Sequence, residues 1–306
     1  MQHYKFKGLI AAPFTPMDPR GDLNIDLIPE LANSLKQNYI QGAFIIGSTG
    51  EGVSLTLDEK KEMIGAWKKE QEDDFKVIAL IASNSLKEGQ ELAEFAAETG
   101  LYGMAILPPF YFKINSPVKL STYCRELSAV VPSLPVYYYH IPALSGVNLS
   151  MYEFLKKAND IPNLVGIKYT APDLYDFRKC LTYQDCRYDL LWGMDETLIA
   201  AMAMGAQGGV GSTYNYAAPL YIEMMEAFHQ GNLSKAQRLQ SMSIEIVDVL
   251  VRHGGILAGK YFMKHIGLDC GEFRPPVGGI EDEDTFREDL HSIDFNRYAS
   301  MSWETV

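Results

Sequence analysis

Apolar residues along the chain fall into short continuous runs, and between the runs they recur at helical spacing. The string Gly8-Leu-Ile-Ala-Ala-Pro-Phe14 predicts a first buried strand, and Leu27, Leu31 and Leu35 then mark one face of a helix closed by Gly42. Ala43-Phe-Ile-Ile46 is the second strand. The pattern Thr56-x-x-Glu59 supplies a capping box for a helix that turns Met63, Ile64 and Trp67 inward. The alternation continues through predicted strands at 77–82, 103–107, 136–140, the run ending at Lys168, 189–193 and 208–212. Ser85-x-x-Glu88 and Ser150-x-x-Glu153 repeat the capping pattern, another helix begins near Pro117, and Gly100 and Gly205 act as helix stops.

Strands alternating with helices over roughly 220 residues match an α/β fold of the (β/α)8 TIM barrel type. Beyond about residue 230 the strand rhythm ends. Leu239, Met242, Ile246 and Val249 keep helical spacing, and helices are expected over 256–266 and 282–290. No linker composition interrupts the chain, so we read one domain: a barrel over 1–230 and a C-terminal helical extension over 231–306 packed on it. An open doubly wound sheet is the alternative fold. It would carry a glycine fingerprint after the first strand, where this chain has Pro13-Phe-Thr-Pro16.

Charge narrows the class of partner. Lysine and arginine number 27 against 39 acidic residues, a net charge of −12, which is unsuited to neutralising a phosphate backbone, so no nucleic-acid partner is expected. Cys124, Cys180, Cys186 and Cys270 show neither CxxC pairing nor histidines at zinc spacing, and no metal site is predicted. The opening segment lacks the apolar core of a secretory signal, and no run approaches the ~18 apolar residues of a membrane span. These features predict a cytoplasmic enzyme with no membrane partner.

In a barrel of this kind the C-terminal ends of the strands share one mouth, where active sites lie. Lys168 ends the apolar run of Asn163-Leu-Val-Gly-Ile-Lys168, and partial desolvation there lowers an amine's pKa toward the nucleophilic form. An ordinary lysine with its head group in water is the plainer alternative. Tyr139 ends another strand, where its phenol can relay a proton; alternation places Tyr137 on its face and Tyr138 and His140 on the other, with His140 expected to be a core residue. Gly47-Ser-Thr-Gly-Glu51 can cradle a carboxylate with the N–H groups and hydroxyls of Ser48 and Thr49. Asp195 and Glu196 suit a polyol; capping of the next helix by Asp195 is the plainer alternative. Ser212 closes a glycine-rich strand with no cation beside it, which favours a neutral hydroxyl ligand over phosphate.

Taken together these motifs resemble the superfamily of class I, pyruvate-dependent aldolases that holds N-acetylneuraminate lyase and dihydrodipicolinate synthase. Gly47-Ser-Thr-Gly-Glu51, Tyr139 with Ile141-Pro142 following, and Gly166-Ile-Lys168 carry the resemblance, which spans about residues 8–278. Tyr137-Tyr-Tyr-His-Ile-Pro-Ala-Leu-Ser-Gly146, Gly193-Met-Asp-Glu196 and Gly211-Ser-Thr-Tyr-Asn215 resemble its lyase branch. The resemblance implies that Lys168 forms the Schiff base, Tyr139 transfers protons, and Ser48 and Thr49 hold the pyruvyl carboxylate. It implies sugar-chain contacts from Thr170, Gly193, Asp195, Glu196 and Ser212, and a subunit-interface role for Tyr111. A homotetramer follows from the same likeness, as does a covalent imine in place of a cofactor.

The synthase branch carries an arginine two residues after the proline of its Tyr-x-x-Pro motif; this chain has Leu144. A leucine cannot supply a bidentate guanidinium. Three functions remain in view: cleavage of N-acetylneuraminate to pyruvate and N-acetylmannosamine; the same imine chemistry on another aldehyde, including other 2-keto-3-deoxy sugar acids or synthase-like condensation; and non-catalytic binding on the same fold. The retained lysine and tyrosine disfavour the last.

Overall fold

The computed structural model describes residues 4–300. The last six residues of the predicted extension and the first three of the chain lie outside that range. Eight parallel strands close into a barrel in sequence order: β1 (Leu9–Ala11), β2 (Gly42–Ile45), β3 (Lys76–Ile81), β4 (Gly103–Ile106), β5 (Val136–His140), β6 (Leu164–Tyr169), β7 (Asp189–Trp192) and β8 (Gly208–Gly211). Closure runs through β1 and β8, where Leu9 opposes Gly209 and Ala11 opposes Gly211. The open sheet is thereby excluded. β1 is shorter than the apolar run suggested because Pro13 has no N–H to give a ladder, and Phe14 leaves the barrel to pack against Tyr216 and Phe273.

The connecting helices are α1 (Ile28–Gln37), α2 (Leu57–Lys68), α3 (Leu86–Thr99), α4 (Pro117–Ser128), α5 (Pro142–Ser145), α6 (Met151–Lys157), α7 (Leu174–Thr182), α8 (Leu198–Ala203) and α9 (Ala218–His229). Of the three expected capping boxes, one forms in full: Thr56 accepts from the Glu59 N–H while the Glu59 carboxylate accepts from the Thr56 N–H. Ser85 and Ser150 cap their helices with the hydroxyl alone. Glu153 turns outward to Lys156, and the Ser150 hydroxyl donates to Asp176 at 2.6 Å.

The extension consists of α10 (Leu233–Arg252), α11 (Ala258–His265) and α12 (Glu283–Ser292). α10 lies along α9 and reaches the loop after β7, where Gln240 Nε2 and Ser243 Oγ donate to the Asp195 carbonyl. Among the described residues no helix is long and apolar enough to cross a membrane.

Alternation inside the barrel sorts chemistry by layer. At the N-terminal end Tyr137 donates to Asp189 Oδ2 at 3.0 Å, closing that end with a polar contact. Gly166 makes room for it, since a Cβ there would lie 2.7 Å from the Tyr137 ring and 2.1 Å from the Asp189 carbonyl oxygen. One layer higher, Tyr139 on β5 stands opposite Lys168 on β6. On the outer face Tyr138 packs on Phe154, and His140 packs on Tyr169 at 4.9 Å between ring centroids. Burial lowers the His140 pKa to about 4, so it is a neutral core imidazole at pH 7, as expected, although among the described residues its Nδ1 has no hydrogen-bond partner.

Candidate active site

Lys168 is 4 % exposed, and its Nζ lies 4.1 Å from the centroid of Phe44 and 4.3 Å from that of Tyr139. The two rings favour the cation, as does the negative charge of Asp195, but burial opposes it more strongly. The result is a pKa lowered from 10.5 to about 7. About half of such an amine is neutral at pH 7, whereas an unperturbed lysine is neutral in under about one part in a thousand.

Two other lysines that could compete as nucleophiles, Lys260 and Lys264, are occupied. Lys260 is also buried, with a pKa lowered by burial, but its Nζ is held by Glu51 Oε1 and the Glu272 carbonyl, each at 2.9 Å. Lys264 is largely exposed and pairs with Glu283 at 3.0 Å. Among the described residues Lys168 makes no ion pair.

Tyr139 is equally enclosed, and burial pushes its pKa up to about 12. The polar Ser48 and Thr170 hydroxyls beside the phenol oppose that rise, while the Asp195 charge adds to it. The phenol is therefore neutral at pH 7, more firmly so than the ordinary value expected from sequence. The Thr170 hydroxyl is buried without a full hydrogen bond of its own. It occupies space that any side chain at position 193 would take: a Cβ on Gly193 would stand 2.0 Å from Thr170 Oγ1.

Ser48 and Thr49 sit in the turn after β2, Thr49 buried and Ser48 half-buried. Two non-glycine residues of this turn, Ile46 (φ 47°) and Glu51 (φ 56°), hold left-handed backbone, a costly conformation that persists only where surroundings enforce it. Glycines also shape the backbone around this turn. They admit the protein's own backbone: a Cβ on Gly52 would meet the Ile46 carbonyl oxygen at 1.8 Å, and one on Gly50 the Pro13 carbonyl oxygen at 3.1 Å.

Asp195 lies deeper than a loop-mouth position. Its Oδ2 accepts from the Thr213 N–H at 3.1 Å and the Thr213 hydroxyl at 2.6 Å, and burial raises its pKa. It thus caps the turn after β8 in place of the helix that follows it. Gly211 at the end of β8 leaves room for it, since a Cβ there would fall 1.9 Å from Asp195 Oδ1. Ser212, half-buried, stands just beyond. Glu196 is half-buried and shares a cleft of about 230 Å³ with Thr170, Gly193, Pro142 and Met194. Tyr111 is not brought to this cluster; it is 76 % exposed, edge-on to Phe112, with its N–H held by Asn84 Oδ1.

The sequence reading passed over Phe44 and Thr213. Phe44 could have been found by alternation, because it shares the inward face of β2 just before the Ser48 turn. Thr213 lay within the Gly211-Ser-Thr-Tyr-Asn215 motif, where no role was attached to it.

The sequence model of the dihydrodipicolinate synthetase family matches residues 5–293. The chain belongs to that family. Within it, the N-acetylneuraminate lyase of Rattus norvegicus is 36% identical over 305 residues, covering 97% of this chain and 95% of the relative. Among solved structures, the N-acetylneuraminate lyase of Proteus mirabilis superposes with a TM-score of 0.92 at 36% identity, covering 96% of this chain and 100% of that one. The N-acetylneuraminate lyase of Aliivibrio salmonicida gives 0.92 at 35% identity, covering 96% and 98%. Lys168, Tyr139 and Ser48, which carry the resemblance in the sequence, lie together here.

Proposed function

We propose that the protein is a class I aldolase that reversibly cleaves N-acetylneuraminate to pyruvate and N-acetylmannosamine. One observation carries this reading: an amine with a pKa of about 7, buried at the C-terminal end of the barrel directly opposite a neutral phenol. The similarity to N-acetylneuraminate lyases supports the choice of substrate.

In this reading the carboxylate of the open-chain sugar binds at Ser48 and Thr49, which brings its keto carbon to Lys168. The neutral amine attacks, water leaves, and the protonated imine becomes an electron sink. Breaking the adjacent carbon–carbon bond requires loss of a hydroxyl proton. Tyr139 relays that proton: a phenol with a pKa of about 12 has little phenolate to act as a free base, so its own proton passes to the substrate carboxylate held at Ser48 as it accepts the one from the hydroxyl. N-acetylmannosamine departs, the enamine is protonated at carbon through the same phenol, and hydrolysis frees pyruvate and Lys168. Thr170, Gly193, Glu196 and Ser212 border the space for the sugar chain, and Asp195 both holds the β8 turn and faces the imine charge.

Leu144 supports the lyase over the synthase, since it stands 66 % exposed on α5 where a carboxylate-binding arginine would be needed. The reading needs no cofactor beyond the imine. It extends to a homotetramer placing Tyr111 at a subunit boundary, drawn from the resemblance, and to the cytoplasmic location expected from the sequence. The test is a coupled pyruvate-release assay on N-acetylneuraminate beside a panel of other 2-keto-3-deoxy sugar acids. Preference for another member of the panel would transfer the chemistry to that substrate.

A further inference from the structure

The turn that carries Ser48 and Thr49 is held from outside the barrel. Glu51, at its end, is buried, and both carboxylate oxygens are engaged by the extension: Oε1 by Lys260 Nζ and Oε2 by the Arg274 N–H, each at 2.9 Å. Lys260 is 1 % exposed and Glu51 3 % at the side chain, so neither charge has water as a substitute partner. The ammonium also donates to the Glu272 carbonyl and lies 4.6 Å from the Phe273 ring centroid. A few residues on, the Arg274 guanidinium binds Glu59, the capping-box residue of α2, and Nε donates to the Gly21 carbonyl at 2.7 Å. The segment carrying the substrate-carboxylate turn is therefore gripped at two points, 51 and 59, by residues of 260–274.

The grip bears on geometry and not only on folding. Glu51 is itself one of the two left-handed non-glycine residues of the turn, and the hydrogen bonds within the turn, Glu51 N–H to the Ser48 carbonyl at 3.2 Å and Gly52 N–H to the Gly47 carbonyl at 3.0 Å, depend on that backbone. A strained turn keeps its shape only while its anchor holds. We propose that Glu51 and Lys260 are a positioning pair: an ion pair between barrel and extension that fixes the Ser48–Thr49 turn and so sets the preference for substrates bearing a carboxylate beside the ketone. Lys260 touches no substrate and acts through Glu51.

This inference rests on the proposed binding of the substrate carboxylate at Ser48 and Thr49, and the experiment separates the two. Wild type, Lys260→Met and Glu51→Gln are each incubated with pyruvate or pyruvamide and borohydride, and the rates of adduct formation are compared as a ratio. The ratio is unaffected by any loss of folded protein. Glu51→Gln keeps the side chain's shape and serves if loss of the Lys260 charge prevents folding. Wild type is expected to favour pyruvate strongly, and both variants to lose about tenfold of that preference, as small misplacements do. Their KM for pyruvate should rise while that for N-acetylmannosamine holds within about twofold. A wild-type enzyme indifferent to the amide would overturn the carboxylate assignment itself. A strong wild-type preference kept unchanged in the variants would overturn the positioning role alone.

Discussion

At the scale of the residue, the behaviour of Lys168 follows from burial outweighing two aromatic faces and a distant carboxylate. Attack needs the neutral amine, so kcat/KM for the keto acid should rise as pH increases through about 7 and level off above it. A limb near the ordinary lysine value of about 10.4 would contradict the burial argument. The same shift costs stability. Between about 7 and 10.5 the unfolded chain binds a proton that the folded chain does not, so stability rises with pH across that window; below about 7 the full cost remains. Lys168→Met should therefore be inactive yet more stable, by ~2–4 kcal/mol at neutral pH. Thermal melts at about pH 6 and about pH 9 should show the larger gain at the lower pH. Leu144→Arg belongs here as well. The exposed site makes the change worth under ~0.5 kcal/mol. The wild-type enzyme should show negligible condensation of pyruvate with aspartate semialdehyde, and robust condensation would move the protein to the synthase branch.

At the scale of the element, β8 and the loop after β7 are built for each other. Gly211→Ala would drive a methyl into Asp195 Oδ1 and push the carboxylate off Thr213. We expect a loss of ~1–3 kcal/mol in stability from overpacking, and a fall in aldol turnover of at least about tenfold, measured by melting and pyruvate release. Gly65→Ala is the control: it lies in α2 with open space around it and should gain up to ~1 kcal/mol with activity unchanged. Glu196→Ala should weaken use of the sugar while sparing borohydride trapping of pyruvate, because the side chain borders the outer cleft. A hydrogen bond to a charged group is worth ~1.5–3 kcal/mol, so the loss should be roughly ten- to a hundredfold. Equal loss in both assays would assign Glu196 to structure.

At the scale of the whole molecule, what could be read in advance was local. Strand runs and capping residues gave the barrel, because apolar periodicity and N-caps act within a few residues. Lys168, Tyr139, Ser48 and Thr49 could be placed at strand ends in advance because strand ends converge in this fold and their motifs are contiguous; Gly193 was named only through the resemblance. α7 and α9 were not assigned: α7 is short and mixed in polarity, and α9 is apolar on too many sides to show a face. The link from Glu51 to Lys260 joins residues 209 apart and the link to Arg274 joins residues 223 apart. No local pattern announces such pairings. Asp195 was seen as a chemical group, but its depth came from Gly211 and Thr213, two positions whose meaning appears only when β8 lies beside β7.

The most direct test of the account is to incubate the enzyme with N-acetylneuraminate itself, add borohydride, and locate the covalent adduct by peptide mass analysis. The account predicts an adduct of pyruvyl size, formed after cleavage, on the peptide containing Lys168, and none in Lys168→Ala. An adduct on Lys260 or Lys264, or equal labelling of the variant, would contradict the assignment of the nucleophile. The absence of any adduct while pyruvate is still released would contradict the imine mechanism.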